Sequence, residues 1–478
     1  MVSESSVPGW VLAIDFGTTN TTGAMAVPGG GPEMLEIENS RYLPSVVYRD
    51  PAGQLVTGRV AVQQAALFPE RAERVPKRAL VAGDHVLLDN APVPIAELVG
   101  AVLERVYAEA VRFHGGQPPA ITVLTHPARW GPTQLGRLTA AAAQAGIASP
   151  RLVPEPVAAA WWYARPSPGR VVAVFDLGGG TLDTAVLRAS EQGYEIAGPP
   201  GGDANLGGED FDELLLEHIS ELARERDAEP WEELFHGTDL RARRDRARLR
   251  TDVTAAKEML SDHLTTDVVI VGYAEAFRLT RPEFEELIEP AVTRGVGELR
   301  QTIAAAGLAP AGLAAIYLTG GSSRIPVISS RIAGTLGIIP DLRDDPKAVV
   351  ALGAIIATAD PASQTVRVPI PPIVPPTAGG TKEGGTKVEG KDGAHPSRAR
   401  LWAGVAVAAV VAVGITLAVL LTGSSPSSPV PVGPFSSSSS SGSGSSSGSG
   451  SSSGSSSGSG SSSGSSSGSG SSSASSSG

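Results

Sequence analysis

Two short runs of acidic, glycine and threonine residues have the composition of phosphate- and metal-binding turns. They are Asp15-Phe16-Gly17-Thr18-Thr19-Asn20 and Asp176-Leu177-Gly178-Gly179-Gly180-Thr181-Leu182-Asp183. Glycine lets backbone N–H groups approach a polyphosphate closely, and threonine adds hydroxyl donors. An acidic side chain tolerates phosphate when Mg²⁺, which prefers oxygen ligands, lies between them. One such run is typical of a hairpin, whereas two indicate the two sides of a site for a nucleoside triphosphate and its metal.

Each run follows an apolar stretch that we interpret as a buried strand, and helical patterns separate these stretches. The predicted strands are residues 10–14, 121–124, 171–175 and 316–318. The predicted helices include an apolar stripe over 95–106, an alanine-rich segment at 133–144 and a proline-opened segment at 155–164. The alternation predicts an α/β domain, and the repeated turn predicts two related lobes.

The chain of 478 residues changes composition near residue 360. We predict a nucleotide-binding domain over 10–360, a Pro/Gly-rich linker over 361–400, a single transmembrane helix over 401–422 and a disordered Ser/Gly-rich tail over 423–478. Residues 401–421 carry no charge, and a helix of that length spans about 31 Å, enough to cross a bilayer core.

The charge distribution predicts an orientation in the membrane and argues against one class of partner. Basic residues occur between 382 and 400 and none follows residue 421, so we expect the large domain in the cytoplasm and the tail outside. No secretory signal peptide is expected at the N-terminus. The net charge of −11 argues against a general nucleic-acid binder. Asp245 interrupts the arginine-rich run at 241–250, which lacks aromatic residues and is interpreted as a solvated helix face.

Five separated motifs carry a resemblance to a known family. They are the Asp15 run, Lys77-Arg78, Glu155-Pro156, the Asp176 run with Leu206-Gly207-Gly208-Glu209-Asp210-Phe211-Asp212, and Leu318-Thr319-Gly320-Gly321-Ser322-Ser323-Arg324-Ile325-Pro326. With these motifs, residues 10–360 resemble the ATPase domain of the heat shock protein 70 family (DnaK-type chaperones). That domain has the actin-like, duplicated ribonuclease H-like fold, so the resemblance implies two lobes closing over Mg-ATP.

The resemblance also implies roles for individual residues. Asp15 and Asp176 would hold Mg²⁺ through water, and Lys77 would orient the attacking water. Glu155 would hold the hydration shell of the metal, and Thr181 would bond the water or a phosphate oxygen. The residues implied on the phosphate side are Gly17, Thr18, Thr19, Asn20, Gly178 and Gly179. Those implied on the nucleoside side are Gly208, Lys257, Ser261, Gly320, Gly321, Ser322 and Arg324.

The sequence departs from this family at informative positions. Thr254 replaces the usual glutamate near the ribose, and Lys347 replaces the usual acid after Asp345-Pro346. No segment after residue 360 resembles the family's client-binding domain.

We therefore predict a slow, membrane-anchored, chaperone-like ATPase that lacks a recognisable substrate-binding domain. Its predicted partners are ATP or ADP, the lipid bilayer and protein clients or co-chaperones, with no nucleic acid. A non-hydrolysing nucleotide-binding scaffold or signalling module at the membrane is an alternative, as is a sugar-kinase or filament-forming relative of the same superfold.

Overall fold

The computed structural model describes residues 9–343 and 345–359. The predicted linker (361–400), transmembrane helix (401–422) and tail (423–478) lie outside the described residues. Among the helices that the structure does describe, none combines the length and apolar character needed to cross a bilayer. The proposed domain boundaries stay predictions.

Short strands alternate with helices along the chain. They are β1 (Val11–Phe16), β2 (Asn20–Ala26), β3 (Glu33–Met34), β4 (Leu43–Pro44), β5 (Val47–Arg49), β6 (Leu55–Thr57), β7 (Ala72–Glu73), β8 (His85–Leu88), β9 (Ala91–Pro94), β10 (Ile121–His126), β11 (Arg151–Pro154), β12 (Val171–Leu177), β13 (Leu182–Ser190), β14 (Gly193–Ile196), β15 (Gly201–Asp203), β16 (Thr265–Val268), β17 (Phe277–Thr280) and β18 (Ala315–Thr319).

Helices occupy much of the remaining chain. They are α1 (Gly58–Leu67), α2 (Pro76–Ala82), α3 (Ile95–Phe113), α4 (Pro132–Gln144), α5 (Glu155–Tyr163), α6 (Gly208–Arg226), α7 (Ala228–His236), α8 (Leu240–Asp262), α9 (Arg281–Ala305), α10 (Pro326–Leu336) and α11 (Val349–Ala359), with short 3-10 helices at Pro69–Arg71, Pro310–Gly312 and Gly321–Arg324.

Two sheets with related topology define two lobes. The first lobe is built on the order β11-β10-β1-β2-β3, with β4 also on β2, and the second on β14-β13-β12-β18, with β15 also on β13. In each sheet an antiparallel hairpin (β1–β2 or β12–β13) lies beside a strand that runs parallel to its first member (β10 or β18). The predicted α/β fold with two related lobes is confirmed.

The two acidic residues of the predicted turns lie inside strands rather than after them. Strand β1 extends through Asp15, which pairs with Thr22 of β2. Strand β12 extends through Asp176, which pairs with Asp183 of β13. The predicted strands 10–14 and 171–175 therefore end too early, because hairpin pairing continues through each acid. Both carboxylates are consequently held on rigid sheet backbone.

Helices α5 and α11 join the lobes because each packs on the sheet of the other lobe. Helix α5 follows the strands of the first sheet and contacts β10 and β11 there, but it packs mainly against β12, β13, β14 and β18 of the second sheet. Helix α11, the last helix described, packs against β1, β2 and β10. The two helices also pack on each other, and a Cβ placed on Gly353 would collide with the backbone carbonyl of Ala158. Close packing of buried small residues thus links both sheets in one apolar core.

The arginine-rich run lies on α8, and two of its partly exposed members also contact backbone carbonyls. In α8, Arg246 Nη1 donates hydrogen bonds of 2.7 Å to the carbonyls of Leu234 and Gly237. Arg243 Nη1 donates to the carbonyl of Leu67 at the end of α1, at 3.1 Å. Carbonyls at helix ends need donors, and these two arginines supply them. Arg243 thereby links the outer parts of the two lobes.

Candidate functional site

Nearly all of the site residues predicted from the sequence line one cleft between the two sheets. The predicted site residues that line it are Asp15, Gly17, Thr18, Thr19, Asn20, Lys77, Glu155, Asp176, Gly178, Gly179, Thr181, Gly208, Lys257, Ser261, Gly320, Gly321 and Ser322. They come from both lobes, and Arg324 is the member of the predicted set that does not line the cleft.

The two glycine-containing turns face each other directly across this cleft. A Cβ added at Gly179 would collide with the side chain of Thr19, so glycine is required for the turns to approach this closely. The Gly178 N–H donates to the Thr181 carbonyl at 3.0 Å and closes the second turn. Residues Gly208 and Glu209 at the start of α6 donate their N–H groups to the carbonyls of Gly178 and Gly179 at 3.0 and 2.7 Å. The turn of the second lobe is therefore fixed from both sides.

Lys77 and Glu155 form a buried ion pair at the first-lobe wall of the cleft. Lys77 Nζ lies 2.8 Å from Glu155 Oε1, and their side chains are 10% and 6% exposed. Burial alone would lower the pKa of Lys77, but the charges of Glu155 and Asp15 outweigh it and raise the pKa above its ordinary value. The ammonium group is therefore charged throughout the physiological range, so Lys77 can donate hydrogen bonds and neutralise charge but cannot act as a base.

Carboxylates from both lobes create a local excess of negative charge. Burial, followed by repulsion from Asp183 and Asp15, raises the pKa of Asp176 to about 7. Burial also raises the pKa of Asp15, against the opposing effects of Lys77 and a hydrogen bond from Thr125. Glu155 has its pKa raised well above its ordinary value, mainly by burial, although Lys77 opposes this.

This donor set fits a hydrated divalent cation. A cation between Asp15 and Asp176 would relieve their repulsion, and carboxylate oxygens are ligands that Mg²⁺ accepts while retaining several waters. In the part of the chain that the structure describes, no three His, Cys, Asp or Glu side chains converge closely enough to hold a metal directly. Attachment of Mg²⁺ through water stays a prediction.

Two neighbours of the acidic residues were given no role from the sequence. Thr125 Oγ1 donates to Asp15 Oδ1 at 2.6 Å, and Arg129 Nε donates to Asp183 Oδ1 at 2.8 Å. These bonds fix the orientation of both carboxylates. Asp183 belongs to the second run, and its position in a hairpin opposite Asp176 could have indicated its proximity. Nothing in the sequence around Arg129 signals its contact.

The two glycine-containing turns are also linked to Glu209 and Arg78. Thr19 Oγ1 donates to Glu209 Oε1 at 2.9 Å, and the Arg78 guanidinium donates to the carbonyl of Gly180. Burial raises the pKa of Glu209, while Thr19 and Arg78 act in the opposite direction. Both residues belong to motifs that carry the family resemblance, but their contacts between the lobes could not be predicted from those motifs.

Lys257 lies on the side of the cleft where the resemblance implies the nucleoside. Its Nζ donates to the Gly208 carbonyl at 2.8 Å and lies 2.8 Å from Asp212 Oδ1. Thr254 Oγ1 donates to Asp212 Oδ2 at 3.0 Å. The threonine that departs from the family pattern therefore helps to orient the Asp212 carboxylate. Helix α8 thereby presents Lys257 and Ser261 to the same cleft, as the family resemblance implied.

The glycine loop after β18 completes this side. Gly320 has φ +80°, and a Cβ there would lie 2.6 Å from Asp176 Oδ1, which restricts the position to glycine. Ser322 Oγ donates to the Gly178 carbonyl at 2.9 Å and joins this loop to the phosphate-side turn. Arg324 instead lies 3.7 Å from Asp262 with 47% of its side chain exposed. An ion pair at the surface, rather than the cleft, holds its guanidinium group.

Comparisons with known proteins agree with this geometry. A family model described as "Hsp70 protein" matches residues 91–379. The "Chaperone protein DnaK" of Thermotoga petrophila is 32% identical over 363 residues, covering 73% of this chain and 59% of the relative. The "Chaperone protein DnaK" of Thermus thermophilus is 32% identical over 382 residues, covering 72% and 60%. The chain thus spans about three fifths of the length of these curated relatives.

Proposed function

This chain belongs to the Hsp70 family, and we propose that its cleft binds Mg-ATP and hydrolyses it slowly. The observation that carries the proposal is the buried Lys77–Glu155 pair beside Asp15 and Asp176, between two facing glycine turns. Phosphoryl transfer requires mainly positioning and charge neutralisation. Fixed cationic, carboxylate and hydroxyl groups beside two glycine-containing turns would supply both.

Each group has a distinct task in the proposed reaction. When bound, Mg²⁺ would neutralise charge that develops on the phosphate oxygens. Thr18 and Thr19 would donate hydroxyl hydrogen bonds to phosphate, while Asp15 and Asp176 would hold the metal through its waters. Lys77, fixed by Glu155, donates to the attacking water or to the terminal phosphate. Glu155 and Thr181 orient water at the same end of the cleft.

The test compares ATP binding with turnover in the Lys77→Ala variant of the full chain. We expect turnover to fall by about 10²- to 10³-fold, the typical cost of removing one preorganised electrostatic group, while Mg-ATP binding persists. Phosphate release and calorimetric titration measure the two quantities. Arg278→Ala is the matched control, because Arg278 forms an exposed 3.1 Å ion pair with Asp267 on the β16–β17 hairpin. Unchanged turnover in Lys77→Ala would contradict the assignment.

A nucleotide-binding module without hydrolysis is the second candidate, and Glu209 favours it. This acid accepts a hydrogen bond from Thr19, one of the hydroxyl groups proposed for phosphate. Its negative charge would oppose a terminal phosphate at that position. Phosphate release at the background level, together with Mg-dependent ADP binding by the same preparation, would favour this candidate over the ATPase.

We further propose that lobe closure signals to protein clients or co-chaperones, in keeping with the relatives' description as chaperone proteins. Closure on the terminal phosphate and relaxation after hydrolysis would provide two states with different surfaces. Crosslinking of the full chain in ATP and in ADP, followed by identification of the captured proteins, tests this. Identical capture in both states would contradict a nucleotide-driven switch.

Residues 401–422 support a proposal of membrane anchoring, with the nucleotide domain cytoplasmic and the tail outside. The chain has no cysteine, so single introduced cysteines report topology cleanly. We expect a membrane-impermeant maleimide to label Ser440→Cys in intact cells and Ser330→Cys only after lysis. Labelling of both variants before lysis, or recovery of the protein in the soluble fraction, would contradict the anchored arrangement.

A further inference from the structure

Lys347 is held at the nucleoside end of the cleft by the segment that precedes it. The Pro346 carbonyl accepts hydrogen bonds from the Gly320 N–H at 3.0 Å and from Thr319 Oγ1 at 3.3 Å. The Lys347 side chain then runs across Gly321, where an added Cβ would lie 2.5 Å from Lys347 Cε and 3.2 Å from Cγ. The lysine stem therefore covers the backbone of the loop proposed to face the nucleoside.

The ammonium group of Lys347 lies near helix α8 and near Tyr42 of the first lobe. Its Nζ lies 3.0 Å from Glu258 Oε1 on α8, one residue beyond Lys257. It also lies 5.4 Å from the ring centroid of Tyr42 in the first lobe, within the range of a cation–π interaction. One side chain thus connects the glycine loop, helix α8 and the opposite lobe.

Tyr42 is itself tied to the phosphate side of the first lobe. It precedes β4 directly, and β4 pairs with Asn20 and Thr21 of β2. The Tyr42 hydroxyl oxygen is buried and has no hydrogen-bond partner in the described part of the chain. The ring face, rather than the hydroxyl group, is therefore the feature of Tyr42 that engages Lys347.

We propose that Lys347 is a positioning residue that holds the nucleoside end of the cleft closed and slows nucleotide dissociation. This inference rests on the proposed function, because it concerns release from the same cleft. Separation of the lobes moves Tyr42 away from Lys347, and outward movement of α8 removes Glu258. Both contacts therefore stabilise the closed form relative to an open form from which a nucleotide can leave, and a contact made in one form alone shifts the equilibrium.

The exposure of these groups sets the expected size of the effect. The side chains of Lys347 and Glu258 are 29% and 59% exposed, so water and salt weaken the pair. We expect Lys347→Ala to accelerate ADP dissociation about fivefold, which corresponds to about 1 kcal/mol at 1.4 kcal/mol per tenfold change. The acceleration should shrink at high ionic strength, because screening weakens the ion pair in the unmodified protein.

The experiment measures displacement of a fluorescent ADP analogue from the full chain with Mg²⁺ present, by stopped flow. Lys347→Arg should retain slow dissociation, because it keeps the charge. Lys347→Glu should release fast, and the exchanged pair Lys347→Glu with Glu258→Lys should recover slow release. Tyr42→Leu should accelerate release, whereas Tyr42→Phe, which keeps the ring, should not. Arg278→Ala again serves as the matched ion-pair control.

The outcomes separate this inference from the proposed function. Mg-dependent uptake by the unmodified chain, with unchanged dissociation in Lys347→Ala and Tyr42→Leu, overturns the inference and leaves the proposed function intact. Failure of the exchanged pair to slow release relative to Lys347→Glu also overturns the role of the ion pair. Absence of any Mg-dependent uptake by the unmodified chain overturns both.

Discussion

Replacing Lys77 by methionine should destabilise the nucleotide-free protein by leaving the Glu155 carboxylate buried without its partner. The two side chains are 10% and 6% exposed and their charged atoms lie 2.8 Å apart. Removing one member of such a pair typically costs about 3–5 kcal/mol. Because domains are commonly stable by about 5–15 kcal/mol, the loss would be a large fraction of the total free energy of unfolding.

The cause of this loss can be isolated with a second substitution. Lys77→Met combined with Glu155→Gln removes both charges, and we expect its free energy of unfolding to return to within about 1 kcal/mol of the unmodified protein. Urea unfolding followed by tryptophan fluorescence measures all variants, and Trp130 lies 6.0 Å from Lys77 Nζ. A double variant as unstable as Lys77→Met would refute the reasoning, since lost packing would then explain the effect.

The pH dependence of Lys77→Met provides an independent check. Burial raises the pKa of Glu155 above its ordinary value of 4.5, and loss of Lys77 removes the main effect that opposes this rise. A carboxyl group with a raised pKa binds its proton more tightly in the folded state, so stability falls as the pH rises above 4.5. Without Lys77 the pKa rises further, so the variant loses more stability than the unmodified protein over the same pH range. The destabilisation should therefore be smallest near pH 4.5 and largest at neutral pH. A difference independent of pH would contradict the burial of an uncompensated charge.

Two further perturbations test the metal side of the cleft and the core between the lobes. Because the pKa of Asp176 is raised to about 7, Mg-dependent nucleotide affinity should increase between about pH 6 and pH 8 as the carboxylate forms. Asp176→Asn should weaken this affinity and reduce the pH dependence, as calorimetry at several pH values would detect; an equal pH dependence in the variant contradicts the assignment. Gly353→Ala should lower the free energy of unfolding by about 1–3 kcal/mol through overpacking against Ala158. Gly297→Ala in α9, where an added Cβ meets nothing within 4 Å, should instead stabilise by about 0.5–1 kcal/mol, and equal effects of the two substitutions would contradict the packing argument.

Much of the fold could be predicted because its signals are local. The apolar run before Asp176 and the alanine-rich segment at 133–144 are patterns of consecutive residues. The first forms the expected strand and the second the expected helix. The predicted limit of the strand before Asp15 was wrong, because the residue that decides it, Thr22, pairs from another strand. A strand end depends on its partner, which the local pattern does not contain.

The site was predictable only where residue type and motif order agree. Seventeen of the eighteen predicted residues line one cleft, whereas the guanidinium of Arg324 pairs with Asp262 at the surface. The roles of Arg129 and Tyr42 were not predictable, since both act through contacts with residues distant in the sequence. Such contacts arise from how the lobes meet, and no short motif encodes them.

The exchange of α5 and α11 between the sheets has a consequence for how this body can be divided. The connection between the lobes, around residues 164–170, runs along the surface for most of its length, and a chain cut there would leave each fragment with a helix whose apolar partner belongs to the other. Neither fragment could cover its own sheet alone, and complementation would need both. The two lobes are therefore not independent folding units, despite the internal repetition. Because each lobe packs a helix that the other lobe supplies, we expect both to fold and unfold together.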